Sequence, residues 1–370
     1  MRRVAILTQM DERSASTRYR ASQYVPALRT RFQSVELLTP GDTVERRPGR
    51  IGQMRYFGEH GRRYRRRLLE VRRVVGAYDA LFIQRGLYVP GPGAIVAPVE
   101  RFGGRVVFDL DDAVFELSPL FVGKGRAARW LWGPHQARRL LRRADAIVVS
   151  TPALAEMLPE PSVDPVVLPT VPDPGRYAMV AHDQERPVVI GWTGSVGGIR
   201  FLDPLAPVFD RLAREKLARL EVVSSQPWRP HVAFRRWRVE DATTLFGDFS
   251  IGIMPLADTP YARAKAGFKL LQYMAAGLPV VASPVGVNSE LVMRSGAGYL
   301  AQGNDEWESA LRELAGDAEL RRELGRRGRA FVEGFADLDG HGRTIARLLG
   351  GDPERPVGAP LTEAEAKARA

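Results

Sequence analysis

The sequence predicts an α/β protein built from two doubly wound domains in tandem, and three observations point that way. Short, β-branched apolar runs alternate with helical stretches through both halves of the chain. A proline-rich stretch from 159 to 187 separates the halves. Its length, 370 residues, suits two domains. Apolar runs without polar alternation imply parallel strands covered on both faces.

In the first half the strand signals are 4–7, 35–38, 80–83, 105–108 and 146–149, with helical stretches at 17–29, 62–75, 127–143 and 152–158. The second half restarts with strands at 188–192, 220–223, 249–254 and 279–283. Its helical stretches are 203–217, 239–246, 268–276 and 288–294, with two more across 305–334. The expected organisation is a first domain over 1–168, a linker over 169–187 and a second domain over 188–335. Residues 336–350 form a helix returning to the first domain, and the polar residues 351–370 a mobile tail. Sheets of this kind bind ligands beyond the carboxyl ends of their strands, so a cleft between the domains is the expected site.

Composition excludes several classes. There is no cysteine, hence no disulfide and no thiolate chemistry. The five histidines are scattered and match no zinc spacing. No apolar run approaches the ~18 residues of a membrane span. The start, Met1-Arg2-Arg3-Val4-Ala5-Ile6-Leu7, reads as a first strand rather than a signal peptide. A cytoplasmic location is expected. Thr8 to Ser14, after that strand, lacks the glycine-rich dinucleotide turn, and there is no Walker lysine motif or nucleophile elbow.

The net charge is +11. Residues 46–75 hold eleven arginines against Glu59 and Glu70, so the excess is a local patch. Tyr64, Leu68, Val71 and Val75 form a helical stripe that would pack on the sheet. The arginines on the other face suit anionic lipid headgroups at the inner face of a membrane, or are simply solvated. No nucleic-acid motif accompanies them, and no nucleic-acid partner is expected.

Two stretches carry phosphate chemistry. Gly191-Trp192-Thr193-Gly194-Ser195-Val196-Gly197-Gly198 is a small-residue turn after a strand, where backbone N–H groups hold phosphate oxygens. Lys265 and Lys269 stand at the start of the helix ended by Gly277. Cations there oppose the helix dipole, at roughly 0.3–1 kcal/mol each, which a bound diphosphate would relieve. Two solvated lysines on a surface turn are the plain alternative.

In the first half, Asp109, Asp111 and Asp112 crowd the end of one strand, where their mutual repulsion needs a reason. A divalent metal, capping and arginine pairing, or contact with a sugar or acceptor would each supply one. Ser16 or Thr17 is expected to cap the next helix, and Arg18 and Arg20 to hold a diphosphate or an anionic acceptor, or to be salt-bridged on the surface.

The stretch Lys269-Leu270-Leu271-Gln272-Tyr273-Met274-Ala275-Ala276-Gly277-Leu278-Pro279-Val280-Val281-Ala282-Ser283, followed by Pro284-Val285-Gly286-Val287-Asn288-Ser289-Glu290-Leu291-Val292, resembles the nucleotide-binding signature of glycosyltransferase family 4, of the GT-B superfamily. Residues 142–150, 191–195 and 249–256 resemble other pieces of that family, in order. The resemblance covers most of 1–335 and implies a GT-B fold and a retaining transfer of sugar from a nucleoside diphosphate sugar to a glycan or lipid-linked acceptor, with no metal and no other cofactor. It places Gly194, Ser195, Lys265, Phe268, Lys269 and Gln272 on the donor and, since many relatives carry a sugar-contacting histidine near the place of Asp111, favours Asp111 as the catalytic contact, with Asp112 its competitor. Many members carry two glutamates eight positions apart where this chain has Ala264 and Gln272; an amide can still bind ribose hydroxyls, but Ala264 replaces no carboxylate. Many also carry an arginine and a lysine after the glycine turn, where only Arg200 lies nearby, and the two lysines would stand in. The rival classes are a non-catalytic nucleotide-sugar binder and an epimerase on the same fold.

Overall fold

A computed structural model describes residues 2–41, 49–116, 125, 130–131, 134–182 and 187–350. The expected tail, and parts of the basic patch and of the helix predicted over 127–143, lie outside them. The chain forms two compact units. The first comprises 1–149, 158–168 and the chain from Leu338 on; the second comprises 150–157 and 169–337. The expected first domain over 1–168 and linker over 169–187 are thus divided differently, while the helix expected over 336–350 groups with the first unit from Leu338 on. Residues 150–157 group with the second unit, and the expected linker from Pro169 on does too.

The first unit is a parallel sheet of β1 (Arg3–Thr8), β2 (Ser34–Leu38), β3 (Ala80–Gln84), β4 (Arg105–Leu110), β5 (Ala146–Val149) and β6 (Pro165–Val167), in the order β2-β1-β3-β4-β5-β6. Register runs Val4↔Ala80, Ile6↔Phe82 and Phe82↔Val107. Every residue of β3 is buried, as an apolar central strand requires. Val4, Ile6, Phe82, Val107 and Val148 share one face with Tyr24, Leu28 and Phe32. Ile345, Ala346 and Leu349, on and just beyond the helix Leu338–Leu348, join that core. β6 was not anticipated: proline stands at the first residue of an edge strand, where its missing N–H costs nothing.

The second unit has β7 (Val189–Thr193), β8 (Arg219–Ser224), β9 (Ala233–Arg236), β10 (Ile251–Met254), β11 (Val280–Ala282) and β12 (Gly298–Leu300), all parallel, in the order β12-β11-β10-β7-β8-β9. Its core sets Ile190, Trp192, Val222, Ile253 and Val281 against Val208, Leu212, Leu311 and Leu314. Two glycines here are steric necessities. A Cβ on Gly191 would lie 2.1 Å from the Phe249 ring, and one on Gly252 2.3 Å from the Tyr273 ring.

Two helices begin where a threonine precedes a proline. Thr151 and Thr259 cap Pro152–Glu156 and Pro260–Arg263 by accepting from Leu154 N and Ala262 N. Proline also breaks two predicted helices. The stretch 17–29 is divided into Ala15–Arg20, a tight turn at 22–24 and Val25–Arg29, because Pro26 cannot donate backward. Pro204 and Pro207 likewise leave only Ala206–Arg214 as α-helix in 203–217. The helix expected over 239–246 is a series of turns ending in Leu245–Asp248.

Candidate active site

In the second unit the strand order reverses between β7 and β10, and open α/β sheets take ligands at the carboxyl end of such a switch point. The two sequence signals meet there. β7 runs into Gly194 and Ser195; β10 leads through Pro260–Arg263 to the helix Phe268–Ala275. Lys269 reaches back from that helix so that its ammonium lies 5.6 Å from the centre of the Trp192 ring. A Cβ on Gly194 would come within 2.6 Å of that ring and 3.2 Å of Lys269 Cε. Gly194 is therefore required by the indole and the lysine stem folded over it. Tyr273, one turn along the same helix, accepts from Thr193 N through its hydroxyl at 3.1 Å and ties the helix to the end of β7. Burial pushes the Tyr273 phenol well above its ordinary range, so it stays neutral.

Electrostatically the site is short of anions. Among the described residues neither Lys265 nor Lys269 pairs with a carboxylate. Lys265 Nζ sits 4.5 Å over the Tyr261 ring. Desolvation, with the nearby Lys265 charge second, lowers Lys269 to about 8. The helix start adds backbone donors: Gly267 is left-handed (φ 62°) and no side chain caps the first turn. Phe268 is its first residue, half-buried.

Not every expected donor group is free for a ligand. Gly194 N donates to Val223 O at 3.1 Å, which leaves the exposed backbone from Ser195 to Gly197 as the open part of the turn. Gln272 is buried and donates to the Tyr177 hydroxyl at 2.9 Å. Ala264 is buried, and its carbonyl accepts from the Thr151 hydroxyl at 3.2 Å. Arg200 is exposed, with its guanidinium over Phe201.

The first unit has its own cluster at the carboxyl ends of β3 and β4. Asp109 points inward. It forms a fully buried pair with Arg20, at 2.5 Å from Nη2 and 3.2 Å from Nε. Arg20 also donates to Leu168 O. Burial raises the Asp109 carboxyl to about 6 against the pull of Arg20. Arg20 is thus 1% exposed and consumed by the core, which corrects the expectation that it meets an anion or lies on the surface. Arg18 donates to Glu12 O and Arg13 O at 2.7 and 2.9 Å and holds the loop after β1. Neither Ser16 nor Thr17 is a cap: Ser14 holds the N-cap position, and Thr17 donates to Met10 O.

The residue that sequence reading missed is Arg85. It follows β3 with φ at +63°, a left-handed conformation that a residue with a Cβ rarely adopts. From there it donates to Ser16 Oγ (3.0 Å) and Asp112 Oδ2 (3.2 Å), and Asp111 Oδ1 lies 3.5 Å from its Nε. Gln84 Nε2 lies 3.4 Å from the same Asp111 oxygen, and the buried Gln84 Oε1 receives no hydrogen bond. The three aspartates thus diverge onto two arginines. Among the described residues no three acidic or histidine side chains are grouped to hold a metal ion. The signal in the sequence was Gln84-Arg85-Gly86, polar residues directly after an apolar strand.

Comparison with known proteins agrees with this geometry. Residues 189–317, which contain the whole β7–β10 site, match the family described as Glycosyl transferases group 1. The chain is similar to a solved α-glucosyltransferase in complex with UDP-glucose and DNA containing an abasic site, with a TM-score of 0.62 at 12% identity over 94% of this chain and 99% of that one. The fold is GT-B. A second similar structure is WaaG, a glycosyltransferase involved in lipopolysaccharide biosynthesis (TM-score 0.58, 15% identity, 94% and 99% covered). A third is TarM (0.52, 12%), of which 73% of this chain matches 54%. No curated protein sequence matches the chain. Residues 189–317 of the second unit thus resemble a group 1 glycosyltransferase domain, on a fold shared with GT-B glycosyltransferases.

Proposed function

We propose that the protein is a retaining, family 4 type glycosyltransferase that moves a sugar from a nucleoside diphosphate sugar to a hydroxyl of a glycan or lipid-linked acceptor, in cell-surface glycan synthesis. The observation that carries the proposal is the meeting of Lys269, which has no carboxylate partner among the described residues and feels the charge of Lys265, with the Gly194–Ser195 turn at the switch point of the matched segment. A diphosphate is the ligand that satisfies such a site: it neutralises Lys265 and Lys269 and accepts from the uncapped helix start.

In this reading the work falls to the leaving group. As the glycosidic bond to the diphosphate breaks, negative charge grows on the departing oxygen, and Lys269 Nζ with the backbone donors stabilises it. Phe268 contacts the base and Gln272 the ribose, through the amide face not given to Tyr177. No metal is required by the two-lysine arrangement. In the first unit Asp111 and Gln84 Oε1 accept hydrogen bonds from acceptor hydroxyls, while Arg85 fixes Asp111 and Asp112 in position, and the attacking hydroxyl gives its proton to the departing diphosphate oxygen. No side chain is placed as a nucleophile, so the acceptor hydroxyl attacks on the face the diphosphate leaves.

One observation favours a second reading, a nucleotide-sugar binder without activity: Ala264 is buried and bears no carboxylate at the position where the resemblance to family 4 implies one that touches the donor sugar. Incubation with a panel of nucleoside diphosphate sugars and simple glycoside acceptors, reading free nucleoside diphosphate, separates the two. Acceptor-dependent release, with retained anomeric configuration in the product, supports the transferase. Tight donor binding with no release under any pairing refutes it.

A further inference from the structure

The helix Gly49–Ala77 is far longer than its contribution to the core requires. At 29 residues it spans about 44 Å. Arg67, Val71 and Val74 form its buried side. Arg67 is a structural cation, donating to Thr8 O, Leu38 O and Leu87 O, and so pins the helix across the ends of β1 and β2. The opposite side is different in kind. At 100° per residue Met54, Phe57, Arg62, Arg65, Leu69 and Arg72 fall within roughly 140° of arc. Met54 is 67% exposed, Phe57 43% and Leu69 55%. Arg55, Arg65, Arg66 and Arg72 have no carboxylate partner among the described residues, and Glu59 is already engaged by Arg62 and Arg63. Beside this face Arg62, Arg63 and Arg66 line an open cleft of about 460 Å³ that ends at Thr39–Gly41.

Large apolar side chains in water are unfavourable alone, and the unpaired arginines within the arc (Arg65, Arg72) and bordering it (Arg55, Arg66) repel one another. One surface relieves both at once. We infer that this helix lies on an anionic lipid bilayer, with Met54, Phe57 and Leu69 entering the boundary between headgroups and acyl chains and the flanking arginines on lipid phosphates. A nucleic-acid duplex would satisfy the arginines but would leave the three apolar side chains against a charged backbone, so lipid is the better fit. The inference stands on the first unit alone and does not depend on the reading of the donor site.

Sedimentation of the full chain with vesicles of phosphatidylcholine, and of phosphatidylcholine mixed with phosphatidylglycerol, tests it. The chain should bind the anionic vesicles, weakly or not at all the neutral ones, and progressively less as salt rises. Each surface cation is worth roughly fivefold in partitioning, so the variant R55E/R65E/R66E/R72E should lose more than about 100-fold. The variant M54S/F57S/L69S, with every charge kept, should also lose binding, while both variants melt like the parent. A labelled DNA duplex and an RNA hairpin supply the contrast: any binding to them should ignore the apolar substitutions. The inference is overturned if anionic vesicles are not bound, if the apolar variant binds them as the parent does, or if nucleic acid is bound more tightly than the vesicles.

Discussion

The surroundings of Lys269 bring its titration close to neutral pH, so the proposed binding of a nucleoside diphosphate there should be a proton-uptake reaction. The free ammonium sits by the Trp192 ring without a counter-ion, and burial with the Lys265 charge lowers it to about 8. A diphosphate placed at the same ammonium reverses the balance. One opposite charge at about 4 Å is worth ~4 kcal/mol at an effective dielectric near 20, or roughly 3 pK units. The bound lysine then titrates above about 10. Between the two values the complex holds more protons than the free protein, so affinity falls as pH rises. Binding of UDP should weaken about tenfold from pH 7 to pH 9, with ~0.7 proton taken up per nucleotide near pH 8.5. Titration calorimetry in two buffers of different ionisation enthalpy reads that proton directly. Lys269→Met should weaken binding at pH 7 by roughly 10- to 100-fold, the worth of a charge-assisted contact, and remove the uptake. A parent that binds UDP with no proton uptake, or a Lys269→Met variant with the parent's uptake, would refute the assignment.

Further outcomes follow from the same geometry. A lysine with a lowered folded pKa destabilises the free protein below its unfolded pKa, the penalty growing as pH falls from about 10.5 to about 8; Lys269→Met should therefore raise the melting temperature of the ligand-free protein at pH 7, by the equivalent of ~1–2 kcal/mol once solvent screening is allowed for. Asp109→Asn leaves Arg20 as an unpaired buried charge and should cost ~3–5 kcal/mol in urea unfolding, whereas Arg20→Met with Asp109→Leu should recover much of it. Gly286→Ala combines a positive φ (58°) with a Cβ 2.4 Å from Arg263 O, and should destabilise the second unit by more than about 2 kcal/mol. Arg85→Ala removes the guanidinium that holds Asp111 and Asp112; on the proposed reading acceptor-dependent turnover should fall and nucleotide affinity should not.

The sheet strands were legible because β1, β3, β5, β7 and β10 are buried and nearly all apolar, a pattern few other structures share. The short edge strands β6, β9 and β12 were not: three or four residues with Pro165, Arg235 or Gly298 among them carry no periodicity. Helix lengths failed at proline, where Pro26 and Pro204 override an otherwise good helical pattern. The β7–β10 site was legible as two separate motifs, the glycine turn and the paired lysines, but their meeting over Trp192 is a product of sheet order. Arg20 and Arg85 were harder. A sequence gives an arginine's charge but not its direction, and here one turns into the core while the other, seemingly an ordinary loop residue, organises the Asp111–Asp112 edge.

The central claim is that the β7–β10 switch point holds a nucleoside diphosphate. Thermal unfolding of the parent, Lys265→Ala and Lys269→Met with UDP, GDP, ADP and TDP, each with and without EDTA, tests it most directly. Ligand at about 100 times its Kd adds ~2.7 kcal/mol of stability. One diphosphate should raise the parent's melting temperature, unaffected by EDTA, and both lysine variants should lose most of the shift. No shift with any of the four, or an equal shift in the variants, would contradict it.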